Sequence, residues 1–457
     1  MKTKYITRRS TFVAVAILSC VCLTASAQDY RVLHHFTGNA NDGAAPDGGL
    51  IQSGSTFYGM TYGGGSSGNG VIFEINTDGT GFQLLHSFAG GANDGAGPLG
   101  SLIQSGPIFY GMTYGGGSGG NGTVFQLNTN GSGFSVMHQF AVSEGMWSYG
   151  DSLIQSGINL YGTCTAGGSA YSWSGNGTVF SISTNDNSCR VLHTFTGAPS
   201  DGRSPYASLI QSGATLYGTT SGGGSSGHGT VFQIDTNGTP YRILHNFTGG
   251  SNDGSTPYMN KLILSGPTLY GATYAGGSNN HGTVFQLNTN GTFSLLHSFS
   301  VSDGQNPDGG LILSGSTLYG MTSYGGIGGT GGDYTGNGVI YQINTNGSGF
   351  QLLHRFTGSD GQNPSGSLLL SGSTLYGMTE QGGSHSQGVI FALDLFPKLT
   401  VALNDTNLNL SWSTNYPDFT LESTGDLTGG WTSVPGVTGY SATLPVSADS
   451  QFFRLRK

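Results

Sequence analysis

Residues 50–88 read LIQSGSTFYGMTYGGGSSGNGVIFEINTDGTGFQLLHSF, and this stretch decides the fold. Its turn residues, among them Ser53-Gly54, separate short apolar runs of strand length. The runs are Leu50 to Gln52, Thr56 to Thr61, Val71 to Asn76 and Phe82 to Phe88. We predict that they form four antiparallel strands, which we name a, b, c and d in chain order.

The same four runs recur seven times, which makes the chain a repeat protein. Successive copies are 52 to 57 residues apart. Copies of this length with four strands each are typical of β-propeller blades. Asn-Gly pairs between strands c and d, such as Asn130-Gly131, favour tight hairpin turns. In strand d every copy carries a His, at His34, His86, His138, His193, His245, His297 and His354.

The two ends of the repeat region indicate how the repeats close. The chain enters with a strand d at Tyr30 to Phe36 and leaves the repeat after a strand c at Gly388 to Leu393. Each end supplies the strands that the other lacks. We therefore predict an all-β protein with a seven-bladed β-propeller over residues 28–395. Each blade has four strands, and the N-terminal strand closes the last blade, because closure removes unpaired sheet edges.

The phrases SGSTLYGMT, GGxxGxGTVFxxNTNG and LLHxFTG resemble those of the bacterial choice-of-anchor tandem-repeat family called GloVer. The resemblance extends over roughly residues 30 to 395. It implies a secreted or surface-anchored repeat protein and brings no assigned activity with it. The identity of the ligand therefore has to be sought in the residues themselves.

Both ends of the chain lie outside the repeat. Residues 1–27 resemble a secretory signal peptide, with basic residues up to Arg9, an apolar run from Phe12 to Leu23 and small residues up to Ala27. Arg8-Arg9 also resembles a twin-arginine signal, and Ile17 to Cys20 a lipid-attachment box, so the export route stays open. Residues 396–457 contain alternating strand-like segments, which predict a small C-terminal β-sandwich.

Composition narrows the class of protein. The chain has 83 Gly, 35% apolar residues and only 8% charged residues, which favours turns and short strands over helices. The net charge is −9 and no basic residue lies between Arg31 and Arg190, so nucleic-acid binding is not expected. We expect an extracellular or cell-surface monomer with no cofactor and no membrane span after the signal. Cys164 and Cys189 are expected to be two thiols, with a disulfide as the alternative.

We interpret the repeated polar residues as structural. The His of strand d is expected to be buried and hydrogen-bonded, because a buried imidazole needs partners. A carboxylate precedes Gly after each strand d and can cap its own turn without any ligand. No metal site is predicted, since the calcium-loop pattern is absent. The acids are Asp42, Asp94, Glu144, Asp201, Asp253, Asp303 and Asp360.

Function is expected where the copies differ. The b–c and d–a loops lie on one face of an antiparallel blade, and the b–c loop is longest in the third and sixth copies. Exposed aromatic rings at such a loop-lined opening suit the binding of sugar rings or apolar peptide side chains. Alternatively, the rings fold over one another and cover the longer loop. The ligand-binding candidates are Trp147, Tyr149, Tyr171, Trp173, Tyr334 and Glu144.

These observations favour an exported, non-catalytic recognition or scaffold protein that binds glycan or protein at the variable face. One alternative is a polysaccharide-active hydrolase or lyase at the same opening, and another is a structural protein of the cell envelope. A close carboxylate pair would favour the enzyme, and an aromatic shelf without one would favour binding. Loops packed flat over the pore would favour structure. The acids available to the enzyme are Glu144, Asp151, Asp333 and Glu380.

Overall fold

The computed structural model describes residues 30–149, 152–168, 175–326, 334–396, 399–404, 406–412, 419–425, 430–446 and 451–456. Within these ranges the secondary structure consists of β-strands and turns, with no helix. It follows that none of the described residues forms a helix able to cross a bilayer. The predicted signal at residues 1–27 lies outside the described ranges.

Seven successive sheets repeat the same antiparallel a-b-c-d order. The first six are built from consecutive residues. Their strands are Ile51–Ser53, Thr56–Thr61, Val71–Asn76 and Gln83–Ser87 in sheet 1; Ile103–Ser105, Ile108–Thr113, Thr123–Asn128 and Ser135–Gln139 in sheet 2; Ile154–Ser156, Asn159–Cys164, Thr178–Ser183 and Cys189–Thr194 in sheet 3; Ile210–Ser212, Thr215–Thr220, Thr230–Asp235 and Tyr241–Asn246 in sheet 4; Ile263–Ser265, Thr268–Thr273, Thr283–Asn288 and Phe293–Ser298 in sheet 5; and Ile312–Ser314, Thr317–Tyr324, Val339–Asn344 and Gln351–Arg355 in sheet 6.

The last sheet joins the two ends of the repeat region. Its strands a, b and c are Gln362–Ser371, Thr374–Gln381 and Val389–Asp394, and its fourth strand is Tyr30–His35. Two-residue strands also pair beside the b–c loops. They are Gly43–Ala44 with Gly63–Gly64, Gly95–Ala96 with Gly115–Gly116, Gly202–Arg203 with Gly222–Gly223, and Gly254–Ser255 with Ala275–Gly276; in sheet 6, Gln305–Pro307 pairs with strand b.

The hydrophobic core lies between neighbouring sheets. Between sheets 1 and 2, Phe88 and Ile72 pack with Phe109 and Phe125, all of them fully buried. Within each sheet, the Gly of the Tyr-Gly pair in strand b makes room for the aromatic ring of strand c. A Cβ on Gly111 would lie 2.4 Å from Cζ of Phe125. The repeated Gly is therefore needed to fit a large ring into a thin layer.

A second repeated contact joins each sheet to the sheet before it. In each of the seven copies, one residue of the loop between strand d and the next strand a has a positive φ, between 51° and 60°. Its N–H donates to a carbonyl in the b–c loop of the preceding sheet, at 2.8 to 3.1 Å. The seven donor residues are Ala45, Gly97, Trp147, Ser204, Thr256, Asn306 and Asn363, and their acceptors are Gln387, Asn69, Asn121, Asn176, His228, His281 and Asn337. Sheet 1 is thus hydrogen-bonded to sheet 7.

The repeated His pairs with the acid that follows strand d. In all seven copies Nε2 lies 3.0 to 3.2 Å from a carboxylate oxygen. The carboxylate also accepts from backbone groups: Asp42 accepts from the N–H of Thr37 and of Gly43. The structural interpretation of both residues fits these contacts, since each pair holds the d–a turn closed.

The chain divides into two compact units, residues 32–370 with 376–391, and the remainder. In the second unit the C-terminal residues form two three-stranded antiparallel sheets, as their alternating pattern predicts. Leu410 and Leu421 lie at the centre of their shared core. Glu422 pairs with Arg454, whose guanidinium lies 4.2 Å from the centre of the Trp431 ring. The strands are Thr400–Asn404, Asn407–Ser411 and Ser441–Pro445, and Thr420–Thr424, Thr432–Ser433 and Phe452–Arg456.

We predict that Gly111→Ala destabilises the protein by about 1–3 kcal/mol, because the new methyl overlaps the buried Phe125 ring. Gly115→Ala is the matched control, since the nearest atom to its Cβ would be 3.7 Å away. We expect that control to change stability by less than about 0.5 kcal/mol. Urea unfolding of both variants measures the difference, and equal stabilities would contradict the packing argument.

We also predict that Asp201→Asn costs about 2 kcal/mol of stability near neutral pH. Burial raises the pKa of Asp201, but hydrogen bonds from His193, Tyr241 and the Thr196 N–H outweigh it and lower the pKa to about 2. Because the folded-state pKa is depressed, this stability is present above pH 4 and is lost as pH falls towards 2. Urea unfolding at several pH values should therefore show the difference from wild type shrinking below pH 4; a constant difference would contradict it.

Candidate functional site

The contact between sheets places one side chain of each copy at a common position. The residue with positive φ is followed by Pro in six copies and by Ser148 in the third. The next residue leads into strand a. We call these residues the lead-in residues: Asp47, Leu99, Tyr149, Tyr206, Tyr258, Asp308 and Ser365. They are chemically diverse, although the residues before and after them repeat.

A second set of variable residues lies at the end of strand b. The last Thr of that strand, Cys164 in sheet 3, is followed by a residue that also varies between copies. We call these residues the exit residues: Tyr62, Tyr114, Thr165, Ser221, Tyr274, Ser323 and Glu380. Both sets lie on the face that carries the b–c and d–a loops. They meet there: Tyr149 contacts Tyr114 with ring centres 5.7 Å apart, and Tyr258 contacts Tyr274 at 5.7 Å. We refer to the two sets together as the mouth.

Backbone packing brings the lead-in residues close together. A Cβ on Gly48 would lie 1.9 Å from the carbonyl oxygen of Gly100, and one on Gly309 would lie 1.8 Å from that of Gly366. Only Gly permits this approach of neighbouring chains. A Ser hydroxyl of the next sheet then accepts the N–H of Gly49, and the same contact joins Ser101 to Ser152.

Three carboxyl groups converge on one side of the mouth. Asp308, Asp47 and Glu380 belong to sheets 6, 1 and 7, and each is partly exposed. Burial, and then the charge of Glu380, raise the pKa of Asp308 to about 7, although the Ser323 hydroxyl opposes this. Burial, Asp308 and Glu380 raise the pKa of Asp47 well above its usual range. Oδ1 of Asp308 is buried and has no hydrogen-bond partner within the described residues.

Tyrosine side chains form the part of the mouth that belongs to sheets 3, 4 and 5. Tyr206 lies with its ring centre 4.6 Å from that of Tyr258 and 5.6 Å from that of Tyr149. The phenol groups of Tyr149 and Tyr258 also share a hydrogen bond. Burial and the charges of Asp47, Glu380 and Asp308 raise the pKa of Tyr149, which places the acids within electrostatic range of this cluster. Burial also raises the pKa of Tyr258, so the phenols of Tyr149 and Tyr258 are neutral hydrogen-bonding groups at ordinary pH.

The structure places the sequence candidates in different regions. Tyr149 is a lead-in residue, and Trp147 stacks on Tyr114 at 5.8 Å. Tyr334 is 60% exposed and meets Tyr324 edge-on at 5.4 Å. Glu144 instead accepts a hydrogen bond from His138, as the acids of the other copies do. Tyr171, Trp173, Asp151 and Asp333 lie outside the described residues.

Asp47 and Asp308 were not among the residues that the sequence singled out. Asp47 and Asp308 occur in Pro-Asp-Gly-Gly phrases at 46–49 and 307–310, whereas the other copies carry Leu, Tyr or Ser at the lead-in position. The departure from the repeat was therefore visible. The predicted closure already placed copies 7 and 1 side by side. What the sequence did not show is that the side chains of Asp47 and Asp308 interact with each other and with Glu380.

Comparison with known proteins bears on the fold. The Gloeobacter/Verrucomicrobia repeat matches residues 19–213 and 171–335. The chain is similar to an oligogalacturonate lyase from Vibrio parahaemolyticus, at 11% identity, with 80% of this chain and 93% of that one covered and a TM-score of 0.50. No match was found among curated proteins. At such identity the likeness supports an all-β, propeller-like fold and nothing about chemistry.

Two further solved structures are more distant. One is an oligogalacturonate lyase in complex with manganese, at 11% identity and a TM-score of 0.46. The alignment covers 75% of this chain and 86% of the lyase chain. A putative TolB from Agrobacterium tumefaciens has 10% identity, covers 56% and 81%, and has a TM-score of 0.36.

We predict that Glu380→Gln lowers the pKa of Asp308 and that Ser323→Ala raises it. The first change removes a negative charge and the second removes a hydrogen bond to the carboxylate. Carboxyl carbon NMR titration measures both, with Glu74→Gln as the control in strand c of sheet 1. An Asp308 that titrates identically in all four proteins would show that these groups do not interact.

Proposed function

The chain belongs to the Gloeobacter/Verrucomicrobia repeat family, and on this premise we propose that it binds a carbohydrate chain at the mouth. The observation that carries the proposal is the pairing of a tyrosine cluster with a group of carboxylates across one opening. Aromatic faces pack against the C–H faces of sugar rings, and carboxylates accept hydrogen bonds from their hydroxyls. The buried Oδ1 of Asp308 is an acceptor that a sugar hydroxyl can satisfy.

We further propose that the seven sheets are the blades of a closed propeller. Three contacts between sheets 7 and 1 support this proposal. The Ser365 hydroxyl donates to the Pro46 carbonyl at 3.2 Å, the Ala45 N–H donates to the Gln387 carbonyl at 2.9 Å, and the Phe57 and Tyr376 rings lie 4.5 Å apart. Neighbouring sheets elsewhere in the repeat make contacts of the same kind. The mouth then lies at one end of the propeller axis.

The domain arrangement and the location belong to the same proposal. We place the propeller in residues 28–395 and the small sandwich in residues 396–457, with residues 1–27 directing export as a signal peptide. Export suits the proposed ligand, because polysaccharides lie outside bacterial cells. Any ionised carboxyl group of the mouth would repel a polyanionic ligand such as nucleic acid, so such a ligand is not expected.

A second candidate function is glycoside hydrolysis at the same mouth. It is favoured by the raised pKa of Asp308, about 7, close to Glu380 and Asp47. Glycosidases need a carboxyl group that is protonated near neutral pH and a second carboxylate that acts as base or nucleophile. In this scheme Asp308 would donate a proton to the leaving oxygen, and Glu380 would be the ionised partner.

Binding is tested with purified protein and a panel of soluble polysaccharides, by affinity electrophoresis and calorimetry. We expect the Tyr206→Ala, Tyr258→Ala double variant to bind at least about 10-fold more weakly, because it loses two aromatic surfaces. Ile158→Ala is the control, since this exposed residue lies in the a–b turn on the opposite face. Failure of the wild type to bind any polysaccharide would overturn the proposal and favour protein recognition or a structural role.

Product analysis separates binding from hydrolysis. If reducing ends appear with wild type, Asp308→Asn should abolish their release while the polymer still binds, because Asn keeps an acceptor oxygen for the sugar hydroxyl but cannot donate the proton of a general acid. Polymer that is bound and stays intact would support recognition alone.

A further inference from the structure

The pair of His138 and Glu144 differs from five of the other His–acid pairs in what lies beside it. In five copies the imidazole stacks on an aromatic ring of the following sheet, with ring centres 3.8 to 4.2 Å apart and nearly parallel planes. The ring stands four residues before the next His in every case. The stacked pairs are His34 with Phe82, His86 with Phe134, His193 with Tyr241, His245 with Phe293, and His297 with Phe350.

At His138 this aromatic ring is replaced by a thiol. The residue four positions before His193 is Cys189, which begins strand d of sheet 3 and faces His138 of sheet 2. The acid of the pair differs too, because Glu144 replaces the Asp found in the other six copies. Two departures from the repeat therefore meet at one place, and both bring in potential metal ligands.

The three side chains bring their ligand atoms close together. A ring nitrogen of His138, a carboxylate oxygen of Glu144 and Sγ of Cys189 all lie within 4.8 Å of one another, and each side chain is partly buried. Nε2 of His138 is 3.0 Å from Oε2 of Glu144. Tetrahedral zinc, with bonds of about 2.0–2.3 Å, separates its ligand atoms by about 3.3–3.8 Å. A shift of Sγ of Cys189 by roughly 1 Å would bring the three ligand atoms to this separation.

We propose that His138, Glu144 and Cys189 form a zinc site between sheets 2 and 3. Imidazole, thiolate and carboxylate are the protein ligands of Zn²⁺, and a water molecule supplies the fourth position. Binding releases the thiol proton of Cys189 to solvent, since only the thiolate coordinates. The imidazole of His138 changes tautomer by exchange with solvent, so that Nδ1 carries the proton and Nε2 has a free lone pair for the metal. The metal replaces the stacked ring as the contact between the two sheets.

The surroundings keep the ligands in place. The Ala141 N–H donates to Oε2 of Glu144 at 3.0 Å, and the Thr178 hydroxyl donates to the Glu144 carbonyl at 2.6 Å. Strand pairing of Cys189 with Ile182 fixes the backbone of the thiol. Ligands held by their own hydrogen bonds lose little freedom when a metal binds.

The site is separate from the mouth. It lies beside the turn after strand d, where the other six copies use the same His–acid pair to hold the loop. Its test therefore does not depend on carbohydrate binding, and either proposal can fail without the other.

The experiment uses the full chain, stripped of metal with a chelator and titrated with Zn²⁺ against a chromophoric competitor. We expect one Zn²⁺ per chain. Cys189→Phe installs the ring found in the other copies, so the fold should be kept while the thiolate is lost. We expect it to bind Zn²⁺ at least about 100-fold more weakly, since removing a ligand costs more than removing an outer-shell partner. Cys164→Ser is the control. It removes the thiol at the end of strand b of sheet 3, which is not a proposed ligand, and should bind Zn²⁺ as tightly as wild type does.

Cobalt identifies the ligand directly. Co²⁺ bound through a thiolate gives a sulfur-to-metal charge-transfer band in the near ultraviolet, which should appear in wild type and in Cys164→Ser and vanish in Cys189→Phe and Cys189→Ser. Circular dichroism and thermal unfolding check that the variants fold. Equal Zn²⁺ affinity of wild type and Cys189→Phe, absence of the band in wild type, or no binding by wild type would each overturn the proposal.

Discussion

The hydrogen bond between each positive-φ residue and the b–c loop of the preceding sheet is the contact on which the rest of the structure depends. It fixes the path of the chain into strand a, and it is made seven times with nearly the same φ and distance. Trp147 makes it as readily as Ala45 or Gly97, although a bulky residue is costly at positive φ. The backbone geometry of the joint, and not its side chain, is therefore what every copy keeps.

Because this contact between sheets depends on the backbone alone, the lead-in side chain two positions later is free to vary. The lead-in residues use this freedom, and they separate by chemistry around the mouth: Tyr149, Tyr206 and Tyr258 in three successive sheets, and Asp308 and Asp47 in sheets 6 and 1. Burial, and then the neighbouring carboxyl groups, raise the pKa of Asp47 and Asp308, which costs stability. Such a cost is typical of a functional site, because a core built for stability would disperse these charges.

The His–acid pair illustrates how a structural element can acquire another use. In its common form, burial raises the pKa of the carboxyl group, but hydrogen bonds from the imidazole and from backbone N–H groups outweigh burial and lower the pKa. An aromatic ring covers the imidazole. Two exchanges, Asp to Glu144 and ring to Cys189, are enough to change the atoms that the pair presents. Burial, with the charge of Glu144 as a smaller cause, raises the pKa of the free Cys189 thiol to about 12, so it is unreactive without a partner.

The sequence by itself determined the strands, and it predicted a structural role for the repeated His and acid residues. The strands expected in residues 50–88 agree with those observed to within one residue at each end, because alternation and turn residues are local signals. It also pointed to Tyr149 and to the face that carries the variable loops. Only the tertiary structure decided which variable residues meet. Asp47 and Glu380 are more than 300 residues apart in the chain, yet they interact because the last sheet is hydrogen-bonded to the first. Local patterns specify the copies, whereas the contacts between copies depend on how the repeats pack, and that packing sets the charge of the mouth.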